Sequence, residues 1–210
     1  MNIAIIGTGN IGKGLARTFA PVQTVTVAGQ SVEDAHGLAA DLAASGLTVQ
    51  AADLQSAVAG AEIVILAVPF AAIPAIAGAA DFSGKVVVDV TNPIREDFSG
   101  ITLGFDTSAA ETVAGLIPGA EVVKAFNTVF AQVYDQGLDF GGRKVPTFVA
   151  SDHDGAKAKV IELATSAGFD AVDAGGLTNA RYIEPLGYLN IQFGYMLGRG
   201  TQIAPAWLSR

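Results

Sequence analysis

Apolar residues in this chain fall in short, β-branched runs, each followed by a stretch whose apolar positions recur at helical spacing. The runs at residues 3–6, 24–28, 48–51, 63–68, 86–90, 122–126, 147–150 and 171–174 predict eight strands. Few of them alternate between apolar and polar, as expected of strands covered on both faces. Strand and helix alternate nearly throughout, which predicts an α/β fold: a doubly wound, mainly parallel sheet with helices on both faces. Several helices carry start signals. Ser31 with Asp34 approximates a capping box, and Ser108 with Glu111 forms a full one. Ser151 with Asp154 repeats the device before a helix over residues 156–167, which Gly168 closes. Residues 93–106, rich in Gly, Ser and charge, read as a loop. The last long helix, about residues 179–197, contains Pro185 and Gly187 and is expected to kink there. One domain is expected over 1–210, with the sheet-bearing core over 1–175 and a helical extension over 176–210.

The first strand runs straight into Gly7-Thr8-Gly9-Asn10-Ile11-Gly12, the spacing G-x-G-x-x-G between a buried strand and a helix. This is the βα turn of a Rossmann-type dinucleotide-binding fold. Gly7 permits the turn, Gly9 removes the side chain that would block a pyrophosphate, and Gly12 lets helix and strand pack closely. The helix beginning near Asn10 aims its unpaired N–H groups and the positive end of its dipole at the phosphates.

Composition narrows the partners. Half of the 210 residues are hydrophobic and 15% are charged, so a large core is available. A net charge of −8 supplies no basic surface for nucleic acid. With no cysteine there are no disulfides, thiol nucleophiles or cysteine-bound metals. Residues 63–80 carry no charge over a bilayer's length, but Pro69 and Pro74 interrupt them, and a strand, a turn and a helix are expected instead. The N-terminal run lacks a basic flank and ends in the glycine turn, so a cytoplasmic protein without a membrane partner is expected.

The corner after the second strand reads Gly29-Gln30-Ser31, with no acidic residue until Glu33. A carboxylate at that corner would favour NAD by binding the ribose hydroxyls and repelling a 2′-phosphate. Its absence favours NADP over NAD, with Gln30 and Ser31 as hydrogen-bond donors; Ser31 reads equally as a helix cap. At the carboxyl edge of the sheet, three segments end strands: Ala67-Val68-Pro69-Phe70, Thr91-Asn92-Pro93 and Lys124-Ala125-Phe126-Asn127-Thr128. Pro69 and Pro93 force extended backbone before them and present Asn92 to the cleft. Conventional catalysts are missing. His36 and His153 fall on helices away from the strand ends, and no triad or metal cluster is visible. Lys124 reads as a snorkelling surface side chain. No catalytic side chain and no metal ligand is assigned, so reactivity must come from a cofactor.

The stretches IAIIGTGNIGKGLA (3–16), VVDVTNP (87–93), SAAETVAGLIPGAEVVKAFNT (108–128) and DAGGLTNARYIEPL (173–186) resemble the NADP oxidoreductases that depend on the deazaflavin coenzyme F420. They are also similar to the cytosolic reductase domain of six-transmembrane metalloreductases. The resemblance implies that Thr8, Gly9, Asn10 and Ile11 hold the pyrophosphate and that Gln30 and Ser31 meet the adenosine end. Ala67, Val68, Pro69 and Asn92 would line the nicotinamide side, and Leu177 would close the acceptor pocket. Asn179, Arg181 and Glu184 begin the last helix, with Arg181 and Glu184 expected to pair at i, i+3.

The function expected is hydride transfer between NADP(H) and a small-molecule acceptor, coenzyme F420 or a flavin (FMN or FAD). Two alternatives stand beside it. One is a nucleotide-binding sensor or partner subunit without turnover. The other is a small imine or ketone reductase, for which Lys124, Thr91 or Tyr182 would have to donate a proton. The apolar residues Leu189, Ile191, Phe193, Met196 and Leu197 of the last helix suggest a homodimer.

Overall fold

The computed structural model describes residues 1–207. Six parallel strands form the main sheet: β1 (Asn2–Ile6), β2 (Thr24–Ala28), β3 (Gln50–Ala51), β4 (Ile63–Leu66), β5 (Val86–Asp89) and β6 (Glu121–Lys124). Their order is β3-β2-β1-β4-β5-β6, with Ile3 opposite both Val25 and Ile63. The chain winds outward from β1 in one direction and then, from β4, in the other. The switch point therefore lies between β1 and β4, where an open α/β sheet leaves a crevice at its carboxyl edge.

Successive strand residues face opposite sides, and both sides are apolar. Ile3, Ile5, Val25, Val27, Ile63 and Ile65 pack in one layer. Helices α1 (Asn10–Phe19), α2 (Val32–Ala43), α6 (Ala131–Gln136) and α7 (Asp154–Ser166) cover that face. Ala4, Ile6, Val64, Leu66 and Val87 pack on the other side, under α3 (Leu54–Gly60), α4 (Ile73–Ala77) and α5 (Ala109–Leu116). Each fully covered Ile, Leu or Val contributes about 1.5–3 kcal/mol relative to exposure. That is why continuous apolar runs, rather than alternating ones, specify this sheet.

The last two strands, β7 (Pro146–Val149) and β8 (Asp170–Asp173), pair with each other and form no ladder with β6. A single antiparallel bridge, Lys124 opposite Ala150, attaches them. Side-chain hydroxyls take over on either side of it. The Phe126 N–H donates to Thr147 Oγ1 at 3.0 Å, and Ser151 Oγ donates to the Val122 carbonyl at 2.7 Å.

This use of Ser151 overturns one expected cap. Helix α7 begins at Asp154 with His153 at the cap position and no side-chain cap bond. The Ser31 box is complete in both directions. At α5, Ser108 Oγ accepts from the Glu111 N–H, but the Glu111 carboxylate turns to Ser108 Oγ and to Arg181 instead of returning to the Ser108 N–H. The final helix α8 (Ala180–Ile191) runs on through Pro185, and regular α geometry ends at a π-helical turn, Gln192–Met196. The uncharged stretch 63–80 divides into β4, a short 3-10 turn and α4. Among the described residues no helix is long and apolar enough to cross a membrane.

Candidate active site

The turn between β1 and α1 is built by close approach. Gly7 has φ +121°, and a Cβ on it would lie 2.2 Å from the Ala67 carbonyl oxygen. A Cβ on Gly12 would lie 1.9 Å from the Gly7 carbonyl oxygen. Neither position can carry a side chain unless the backbone moves. Gly9 differs: its φ is −72°, and a Cβ there would meet nothing within 4 Å. The backbone permits a side chain at Gly9, and the space above it is free for a ligand. Helix α1 has no side-chain cap and no acidic residue in its first turn. Its first intrahelical bond of this kind runs from the Lys13 N–H to the Gly9 carbonyl at 2.8 Å, leaving the N–H groups before it free for an anion.

A cavity of about 440 Å³ opens beside this helix start. Its walls are Gly9, Asn10 and Ile11; Ala67, Val68, Pro69 and Phe70; Val90, Thr91 and Asn92; residues 126–132; and, from α8 and beyond, Gly187, Asn190, Ile191 and Tyr195. Ile94 and Phe98 close one side. None of these lining residues is Asp, Glu, Lys, Arg or His. The expected residues Gly9, Asn10, Ile11, Ala67, Val68, Pro69 and Asn92 thus share one cleft. Gly7 and Gly12 form the turn behind it, and Thr8 is half-buried beside them. Gln30 and Ser31 stand exposed at the end of β2, outside the cavity.

Leu177 requires correction. Its side chain is buried in the apolar layer that holds Leu66, Val87 and Val113, and its N–H donates to Asp152 Oδ1 at 2.9 Å. It lines no part of the cleft. The wall is closed instead by α8, which folds back over the strand ends. Residues as distant in sequence as Gly187 and Tyr195 carry no local signal of that role.

Amides fix this wall. Asn92 Nδ2 donates to the Asn127 carbonyl at 2.9 Å, and Asn127 Nδ2 donates to Asn92 Oδ1 at 2.8 Å and to the Ile183 carbonyl at 3.1 Å. Asn190 Nδ2 donates to the Thr128 carbonyl at 3.1 Å. Helix α8 approaches through Gly187, where a Cβ would sit 2.9 Å from Asn92 Oδ1. Phe126 holds φ +62°, a left-handed conformation costly for an aromatic residue. Its ring is locked between Phe19 and Phe169 at centroid distances of 5.7 and 5.3 Å. Thr91 Oγ1, Asn127 Oδ1 and Thr128 Oγ1 are buried in these walls without a partner among the described residues.

Lys124 also departs from expectation, because it is fully buried rather than at the surface. Its ammonium lies 2.8 Å from Asp89 Oδ2 and 2.9 Å from Glu184 Oε1, and it donates to the Thr91 carbonyl. Asp89 and Glu184 are likewise buried, at 0% and 2% exposure. Glu184 also accepts from the Ala109 and Ala110 N–H groups at 2.9 and 3.2 Å, closing the start of α5. The expected Arg181–Glu184 pair therefore does not form. Arg181 instead grips Glu111 at 2.6 and 2.9 Å, and these bonds hold the Glu111 carboxyl below its ordinary range.

His36 is exposed on α2 and His153 is exposed at the start of α7, both outside the cleft. Tyr182 is 64% exposed and lines a separate apolar groove with Phe148, Leu189 and Trp207. Among the described residues no group of three or more His, Cys, Asp or Glu side chains could hold a metal ion.

A glycine turn at the switch point, an uncapped helix start and a cleft of neutral groups together define a Rossmann-type, dinucleotide-dependent protein. The family described as NADP oxidoreductase, coenzyme F420-dependent, matches residues 2–93. The F420-dependent NADP reductase of Methanothermobacter marburgensis is 35% identical over 202 residues, covering 89% of this chain and 89% of its own. Metalloreductase STEAP3 of Rattus norvegicus is 32% identical over 186 residues, 88% of this chain, and the chain spans 36% of that relative's length. A solved structure from Arthrobacter sp. FB24, assigned as an F420-dependent NADP-reductase, superposes with a TM-score of 0.82 at 28% identity. That match covers 97% of this chain and 99% of the other. The chain belongs to the F420-dependent NADP oxidoreductase family and is an NADP-dependent oxidoreductase.

Proposed function

We propose that this protein transfers hydride between NADP(H), held across the glycine turn, and a deazaflavin (F420) or flavin ring stacked in the adjoining cleft. The observation that carries this reading is the wall chemistry. A cavity of about 440 Å³ is lined by apolar, aromatic, amide and hydroxyl groups and by no acidic or basic side chain. Such a site orients two planar rings; it has little with which to move protons. The reduced nicotinamide supplies the hydride, and a further proton from solvent completes reduction of the acceptor ring. The protein's own part is placement. The free N–H groups of α1, with Gly7, Thr8, Gly9, Asn10, Ile11 and Gly12 around them, hold the pyrophosphate. Gln30 and Ser31 meet the adenosine end. Ala67, Val68, Pro69 and Asn92 line the nicotinamide side and orient the ring.

An imine or ketone reductase would need a proton donor here. Of the groups considered for that role, Lys124 is committed to its ion cluster and Tyr182 lies outside the cleft, which leaves the Thr91 hydroxyl, a weak acid, as the one that lines it. Turnover decides the matter. The pure protein is given NADPH anaerobically with F420, FMN and FAD offered separately. Oxidation of NADPH with one of them, lost in Gly9→Val, is the expected result. Confirmed NADPH binding without turnover of any acceptor sinks the proposal and leaves a sensor or a small imine or ketone reductase.

The homodimer is proposed on the exposed apolar face of α8, where Tyr182 and Leu189 sit beside Val172 and Trp207. Sedimentation equilibrium returning a monomer at micromolar concentration would remove it.

A further inference from the structure

We propose that the buried Asp89–Lys124–Glu184 cluster is the positioning device of the cleft: it sets the Thr91–Asn92 wall against which the nicotinamide lies. This rests on the reading of the cleft given above. The ladder of β5 ends at Asp89, so the residues that face the cleft have no strand pairing to hold them. The cluster supplies what the ladder no longer does. Asp89 Oδ1 accepts the Thr91 N–H at 3.0 Å, and the Lys124 ammonium takes the Thr91 carbonyl. Both backbone groups of one wall residue are thereby tied to a single ion pair. The next residue, Asn92, is locked to Asn127, and Asn127 donates to the Ile183 carbonyl on α8. Glu184 follows Ile183 and returns to Lys124 at 2.9 Å. The connections close into a ring through β5, β6 and α8, with the cleft wall as one side.

Stability alone does not account for the arrangement. A fully buried ion cluster is often matched or bettered by well-packed apolar residues of the same volume. Lys85 provides the contrast. At the opposite edge of the sheet its ammonium also binds carbonyls, those of Ala59 and Ala61 at 2.9 and 2.7 Å, but it is only partly buried and far from the cleft. It fastens one element to another, whereas Lys124 fastens the wall.

The double variant Lys124→Met/Asp89→Asn tests this. It removes one positive and one negative charge, so the buried net charge is unchanged and Glu184 still closes α5. Titration calorimetry is run with NADPH and with 2′,5′-ADP, which lacks the nicotinamide half. The expected result is unchanged affinity for 2′,5′-ADP, about tenfold weaker NADPH binding, and a lower kcat, as misplacement near the reacting ring requires. Wild-type affinity for both ligands overturns the proposal. So does a parallel loss for both, which a merely structural role would give. Should the double variant not fold, Glu184→Gln is read in the same way: a smaller loss confined to NADPH supports the proposal, and none overturns it. Lys85→Met is expected to lower Tm and leave both affinities alone. Failure of the site reading itself looks different: Gly9→Val would then leave NADPH binding intact.

Discussion

Two helix starts flank the glycine turn, and they are finished in opposite ways. Helix α2 closes its own first turn. Ser31 Oγ accepts the Asp34 N–H at 3.1 Å, the Asp34 carboxylate accepts the Ser31 N–H at 3.1 Å, and Glu33 adds a second acidic group. Helix α1 has no side-chain cap, no acidic group in its first turn, and nothing within 4 Å of the point where a Gly9 side chain would stand. A self-capped start satisfies its N–H groups at a gain of about 1 kcal/mol. An uncapped start forgoes that gain and keeps its N–H groups and dipole for an anion. The difference separates a helix end built for the fold from one built for a ligand, although both follow a parallel strand at the same edge of the sheet.

The comparison breaks most sharply at Gly9. A Val side chain there fits the backbone and fills the anion's place. Gly9→Val is expected to leave Tm nearly unchanged while NADPH affinity falls about a thousandfold, ~4 kcal/mol, the loss of two charge-assisted hydrogen bonds. Calorimetry beside a thermal melt checks both halves, and a large fall in Tm would contradict the assignment of Gly9 to the ligand. Gly12 provides the converse case within one motif. Because its Cβ would lie 1.9 Å from the Gly7 carbonyl oxygen, Gly12→Ala is expected to destabilise the fold by about 3 kcal/mol. A shift in the denaturant midpoint would measure it, and an unshifted midpoint would show that the turn relaxes.

Asp34 tests the other helix. The 2′-phosphate of NADP is expected near the end of β2, where Gln30 and Ser31 stand and where Asp34 already occupies the Ser31 N–H. Asp34→Asn keeps a side-chain acceptor for that N–H and removes the charge. It is expected to raise NADP affinity about threefold, ~0.6 kcal/mol, more at low salt than at high salt, with NAD affinity little changed. Equal gains for both nucleotides would place the 2′-phosphate elsewhere.

Much of this was legible in the sequence, for identifiable reasons. Continuous β-branched runs mark strands buried on both faces, and all eight formed within one or two residues of their expected positions, except that β3 is shorter. The strand ends Ala67-Val68-Pro69 and Thr91-Asn92 carry local signals, since a proline has no N–H with which to continue a central ladder. What stayed hidden depends on contacts across the chain. A lysine at a strand end reads as a surface group, and only Glu184, sixty residues further on, together with Asp89 makes its burial possible. The Arg181–Glu184 spacing fits a helical pair, but each side chain has a stronger partner on another element. Leu177 sits in a motif that suggested the cleft, yet the backbone turns it into the core. The gap between β6 and β7 arises because the hydroxyls of Thr147 and Ser151 take places that backbone groups would fill in a ladder.

Helix α5 is the intermediate case, and it yields the smallest of the expected effects. Its start is closed by Ser108 and, from a distant helix, by Glu184. Glu111, released from the cap, is free to bind Arg181. The hydrogen bonds from Arg181, reinforced by the guanidinium charge and by Ser108, hold the Glu111 carboxyl below its ordinary value. A carboxyl lowered in the folded state contributes stability that is present above its unfolded pKa and is lost as pH falls through its folded one. In Glu111→Gln that contribution is absent, so Tm measured from neutral pH down through the carboxylate range should fall less steeply than in the wild type. The two curves are expected to converge at the acid end, where the wild-type carboxyl is protonated and its bond to Arg181 no longer carries charge. Parallel curves would mean that the Arg181 contact is too well solvated to matter, and that α5 is held at this end by Ser108 and Glu184 without it.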